Sequence, residues 1–146
     1  LWRGVVTPPY MSPLALPYTD SAPSIMHKLK LQPSSFEKIK AGVKTIEMRL
    51  WDDKRRGMQV GDKITFYKLP EQAESLTCSI KALHVFPHFT AMCDALPLDK
   101  MGYEGPSLHA WLKRRDPGMA AYYAKADEAK YGVVGIEIEV EHSLKP

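Results

Sequence analysis

The chain has 146 residues, 45% of them hydrophobic and 25% charged, with a formal net charge of +3. That length predicts one domain whose core needs no disulfide staples, and no stretch approaches the roughly 20 apolar residues of a membrane span. The weak positive charge permits contact with nucleic acid without demanding it, because solvated lysines alone produce such a value.

Residues 1–25 differ in kind from the rest. They hold Pro8, Pro9, Pro13, Pro17 and Pro23, and their two charges, Arg3 and Asp20, cancel. They contain no uninterrupted apolar run of the kind a secretory signal needs. We expect residues 1–25 to be an irregular Pro-rich extension and 26–146 to be the domain, with the patterned region opening at Met26.

His27 to Leu31 alternates, with Leu29 and Leu31 on one side, and predicts a strand. Ser34-Ser35-Phe36-Glu37 has the form of a capping box. The helix it opens runs through Ile39 to Ala41, with Gly42 suited to a left-handed stop. Val43 to Trp51 reads as the next strand. Asp52 to Gln59 reads as a polar loop, and Gly61-Asp62 as a turn. Lys63 to Leu69 is a predicted strand with Ile64 and Phe66 inward. Leu76 to Phe86 is a longer one, with Leu76, Cys78, Ile80 and Ala82 inward. Phe89 to Leu96 predicts a short helix stopped by Pro97. Ser107 to Arg114 predicts another, with Leu108, Trp111 and Leu112 on its apolar stripe. Residues 117–129 are helical in composition. Gly132 to Glu141 closes the pattern as a strand, with Glu137, Glu139 and Glu141 as a solvated face.

This order lacks the regular strand–helix alternation of a doubly wound fold. It predicts an α+β architecture: a small, mostly antiparallel, curved sheet with flanking helices. Pairing of the final strand near the first would close a barrel. Cys78 and Cys93 form no C-x-x-C, and Cys78 reads as a buried free thiol, which fits a reducing, cytoplasmic setting. His84 and His88 are four apart, but Pro87 separates them and His84 falls on a strand. No metal site and no cofactor are therefore predicted.

The most informative segment is Gly42-Val43-Lys44-Thr45-Ile46-Glu47-Met48-Arg49. Three ionisable groups on one predicted strand are costly to bury unless they pair or face a wet cleft. Strict alternation puts Thr45, Glu47 and Arg49 on one face and Lys44, Ile46 and Met48 on the other. Lys44 sits at the helix–strand junction, where alternation need not hold. The plainer reading is a surface Glu47–Arg49 pair, worth under about 1 kcal/mol, with Lys44 solvated.

The octapeptide resembles the Gly-x-Lys-x-x-Glu-x-Arg signature of the ASCH family (activating signal cointegrator homology). The resemblance extends to the strand–helix entry Leu29 to Ala41, the turn Val60-Gly61-Asp62, the His84-Val85-Phe86 strand end before Phe89, and the ending Tyr131 to Ile138. Together these span nearly all of residues 27–140. The resemblance implies a PUA-like β-barrel that binds RNA in a cleft near the motif. It also implies an alternative, because some small bacterial members hydrolyse N4-acetylcytidine and ribonuclease activity is reported in the family. The amidohydrolase pattern is Gly-x-Lys-Thr-x-Thr-x-Arg with a downstream glutamate. Lys44 and Arg49 match it, Glu47 stands in place of the threonine, and Glu104 is the positional counterpart of the glutamate.

The expected ligand is thus RNA or a modified nucleoside, held by Lys44, Glu47 and Arg49 with help from Trp51, Lys54, Arg55 and Arg56. Were the chain a hydrolase, Lys44, Glu47 and Glu104 would be its catalytic groups. Glu47 beside Lys44 favours the ammonium over a free amine, which suits recognition more than catalysis. The basic runs Lys54-Arg55-Arg56 and Lys113-Arg114-Arg115 would hold a phosphate backbone if they flank the cleft. Trp51, Tyr103 and Trp111 are candidate stacking platforms, although Trp111 lies on an apolar helical stripe and reads as core. Tyr122 and Tyr123 straddle a helix in this reading, so at most one faces inward.

Overall fold

A computed structural model describes residues 24–142. The strand elements are β1 (Met26–Leu31), β2 (Ile46–Leu50), β3 (Lys63–Lys68), β4 (Ser75–Phe86) and β5 (Val133–Val140). The helices are α1 (Pro33–Lys40), α2 (Asp53–Arg56), α3 (Phe89–Ala95), α4 (Gly105–Arg114) and α5 (Lys125–Tyr131), with a 3₁₀ turn at Asp99–Met101. The expected Pro-rich extension lies outside the described residues, apart from Ser24 and Ile25. Ile25 donates its amide to Asp62 Oδ1 and accepts from the Lys63 amide, so the chain joins the sheet edge there.

All five strands form one curled sheet in the order β1-β3-β4-β5-β2. The β1–β3 pair is parallel and the other three are antiparallel. This is the α+β, mostly antiparallel architecture expected. The final strand finds its partners in β4 and β2, not in β1, so β1 and β2 are the two sheet edges.

Leu29, Phe36, Ile39, Ile64, Phe66 and Ile80 pack inside the curl, where α1 plugs it. Phe86, Phe89, Met92, Trp111 and Val133 pack a second cluster beneath α3 and α4. Covering on both faces explains why Val133, Val134, Gly135 and Ile136 are all buried in succession, where alternation would expose every second one. Gly135 is required by this closeness: a Cβ there would lie 3.0 Å from Leu96 and 3.2 Å from Ile46. Farther along, the solvated carboxylate face expected of β5 is a row of cross-strand polar contacts. Glu137 accepts from the buried His84, Glu139 faces Lys81 and Glu141 faces Lys63.

Other departures have local causes. Helix α1 begins at Pro33, whose fixed φ suits a first helical position, so Gln32 and not Ser34 is the N-cap and no capping box forms. Glu37 pairs with Lys68 instead. The polar loop after Trp51 contains α2, because Asp52 caps it by accepting from the Arg55 amide. Leu112 is exposed, since α4 buries only the side carrying Trp111. Residues 117–124 form turns, and α5 begins only at Lys125.

Candidate functional site

Gly42 ends α1 with φ +80°, and the chain then wraps back over the helix end. The amides of Val43 and Lys44 both donate to Lys38 O, and the Thr45 amide donates to Lys100 O. Because Lys44 and Thr45 precede β2, alternation does not bind Lys44, and its side chain turns to meet those of Glu47 and Arg49. Lys44 Nζ donates to Glu47 Oε1 at 2.9 Å and to Ser35 Oγ at 3.3 Å. Arg49 Nε donates to Glu47 Oε2 at 2.6 Å. The three side chains retain 6%, 7% and 13% of their exposure respectively. The surface-pair reading is therefore set aside: this is a buried ion triplet.

Arg49 has a second task. Its Nη2 donates to Lys30 O at 2.6 Å, which ties edge strand β2 to edge strand β1 across the open side of the sheet. Burial by itself would push the Glu47 carboxyl upward, but the charges and hydrogen bonds of Lys44 and Arg49 outweigh it and hold the group below the ordinary carboxylate value. Burial likewise disfavours the charged Arg49, yet Glu47 and the Tyr123 hydroxyl more than offset it and keep the guanidinium firmly protonated.

The triplet forms the floor of a cleft of about 340 Å³. One wall is the end of β1 and the start of α1, with Lys30, Gln32, Ser34, Ser35 and Lys38. The other wall carries Met48, Tyr103, Met119, Tyr122 and Tyr123. The second wall depends on the 117–124 turn, which the helical composition concealed. Tyr122 and Tyr123 amides both donate to Met119 O, and the Tyr103 hydroxyl donates to Pro117 O. Tyr123 stacks on Phe89 with ring centroids 5.7 Å apart. Gly102 backs the cleft with φ +92°, and a Cβ there would lie 3.2 Å from Lys44 Cδ. Lys38 spans this wall, donating to Gly102 O at 3.1 Å.

The other expected site residues do not reach the cleft. Trp51 is buried in the core, and its carbonyl accepts from Arg56 Nε. Arg56 lies over the Trp51 ring and also donates to Tyr131 O. Arg55 pairs with its own helix cap, Asp52, and Lys54 is exposed on α2. Glu104 is 60% exposed, caps α4 and faces Lys38 at 3.4 Å, outside the cleft lining. Of the second basic run, Arg115 pairs with Asp94 and lies over Trp111. Lys30, Ser35, Lys38 and Tyr123 were not foreseen as site residues. They lie on separate elements, and only the fold brings them together.

Among the described residues, no group of three or more His, Cys, Asp or Glu side chains is placed to hold a metal. No helix among them is long and apolar enough to cross a membrane.

A family model described as ASCH domain matches residues 29–142. Two solved structures are similar. The crystal structure of the hypothetical protein PH0355 is 32% identical, covers 80% of this chain and 100% of that one, and superposes with a TM-score of 0.63. The solution NMR structure of protein PF0455 from Pyrococcus furiosus is 33% identical, covers 80% of this chain and 97% of its own, and gives a TM-score of 0.60. Among curated proteins, none matches significantly.

Proposed function

The chain belongs to the ASCH domain family, and we propose from that premise that it binds single-stranded RNA or a modified nucleoside in the cleft over Lys44, Glu47 and Arg49. The observation that carries this reading is the buried ion triplet at the floor of a concave site. Burying three charges is expensive, and a hydrophobic set of equal volume would often be as stable. Here the triplet lines a concave site, beside the exposed Tyr122 and Lys30, residue types that hold bases and phosphates.

The hydrolase alternative gains no support from the geometry. It asks for Lys44 and a carboxylate that can exchange protons with a substrate. Lys44 already donates to Glu47 and Ser35, Arg49 occupies the other Glu47 oxygen, and Glu104 faces Lys38. The reading also places the protein in a reducing cytosol, consistent with two buried free thiols.

The test is fluorescence anisotropy with labelled single-stranded RNA across a salt series, comparing wild type with Lys44→Ala and Arg49→Ala. Binding should weaken as salt rises and be lost in both variants. A folded Arg49→Ala protein that bound RNA like the wild type would show the site to be elsewhere.

A further inference from the structure

Glu47 is the cleft's single carboxylate, and it is not presented to a ligand. Oε1 accepts from Lys44, Oε2 accepts from Arg49, and the group is buried. What remains toward the cleft is a set of donors. Lys44 has a third N–H beyond those given to Glu47 and Ser35. Arg49 commits Nε to Glu47 and one Nη2 hydrogen to Lys30 O and also meets the Tyr123 hydroxyl, which leaves the remainder of its five N–H donors. Lys30 makes no ion pair with a described residue and stands exposed at the rim. Four cations line the cavity, Lys30, Lys38, Lys44 and Arg49, against Glu47 in the lining and Glu104 just outside it at 3.4 Å from Lys38, a local charge of +2.

The start of α1 adds to this cationic cavity. Gln32 does not cap it with its side chain, Pro33 has no N–H, and the first helical bond is Phe36 N to Gln32 O. The amides of Ser34 and Ser35 thus fall outside the helical ladder, and both residues line the cleft. An exocyclic amine would need acceptors, whereas a phosphate needs donors and positive charge. The cleft is also bounded. The Arg49–Lys30 bridge crosses the gap between the sheet edges. The 340 Å³ volume lies near the low end of small-molecule sites, roughly 300–1,000 Å³, a size suited to a single nucleotide unit.

We infer that the cleft floor seats the terminal phosphate of a nucleotide, which enters phosphate first with its base against Tyr122. This deepens the proposed function and rests on it. The phosphate has two sources, a free nucleoside monophosphate or a phosphorylated RNA end.

The experiment measures affinities for uridine and its 5′- and 3′-monophosphates, and for short oligouridylates with a 5′-phosphate, a 3′-phosphate or hydroxyls at both ends. The phosphorylated member of each pair should bind at least about tenfold tighter. Equal affinity for the monophosphate and the phosphorylated oligomer identifies the free nucleotide as ligand, and a much tighter oligomer identifies the RNA end. Lys30→Ala, a change at an exposed rim residue, should lose several-fold of the phosphate preference without unfolding the protein. Oligomers that bind equally well with and without a phosphate would overturn the inference while leaving RNA binding in place. No binding of any probe would overturn both.

Discussion

Glu47→Gln removes one charge from a buried set of three and leaves Lys44 and Arg49 facing each other across a neutral amide. The wild-type contacts are short, at 2.9 and 2.6 Å. A glutamine presents one oxygen and one NH₂ group, so one of the two cations meets a donor instead of an acceptor. Removing one partner of a buried pair costs about 3–5 kcal/mol. Arg49 keeps its bond to Lys30 O and Lys44 keeps Ser35, so the loss expected here is at the lower end of that range, about 3 kcal/mol. Urea denaturation at neutral pH reads it directly as a shift in midpoint at constant slope. The Glu47 carboxyl is held below its ordinary value of 4.5 when folded, so its ionised form stabilises the native state above that value. The stabilisation disappears as pH falls through the folded value. The gap between wild type and Glu47→Gln should therefore be complete at neutral pH and close on acidification below about 4.5. A loss under about 1 kcal/mol at neutral pH would mean the triplet behaves as a solvated surface pair, and the argument from burial would fail.

Gly102→Ala forces an L-residue to φ +92° and puts a methyl 3.2 Å from Lys44 Cδ; it should cost about 1–2 kcal/mol by thermal or urea unfolding and also weaken RNA binding. Glu128→Ala leaves the buried Phe89 amide without its 2.7 Å acceptor and should lower stability by about 1–3 kcal/mol, seen as a drop in Tm. Lys54→Ala removes an exposed cation outside the cleft. Its RNA affinity should stay close to that of wild type in the same anisotropy assay, and a large loss would return α2 to the binding surface.

Periodicity located every strand and the first helix to within a few residues, because strands with one polar face print their register in the sequence. It was weaker where both faces of a strand are covered, as along Val133–Ile136, since alternation then has nothing to report. The octapeptide was legible as a charged site, but the convergence of Lys44 with Glu47 was not derivable from alternation. It depends on the wrap of Val43 and Lys44 onto Lys38 O, a backbone event that side-chain patterning does not encode. Trp51 and the Lys54-Arg55-Arg56 run failed to reach the cleft for a related reason. Adjacency in sequence to Arg49 says nothing about direction once β2 ends at Leu50 and α2 turns the chain toward Tyr131. The tyrosine wall was hidden because residues 117–129 have helical composition, whereas turns held by Met119 O and Pro117 O prevail over the first half.

The bond from Arg49 to Lys30 O has a consequence for solubility. A sheet that stops short of closure carries two unpaired margins, and such margins recruit strands from other molecules. Here one side chain spans the seam where backbone pairing would have sealed it, and sealing it would have erased the cleft. The seam thus stays open in its backbone pairing where the cleft lies. Lys28 and Lys30, outward on the β1 margin, are the residue type that repels an incoming strand. The same lysine that invites a phosphate therefore also guards the fold against its own copies.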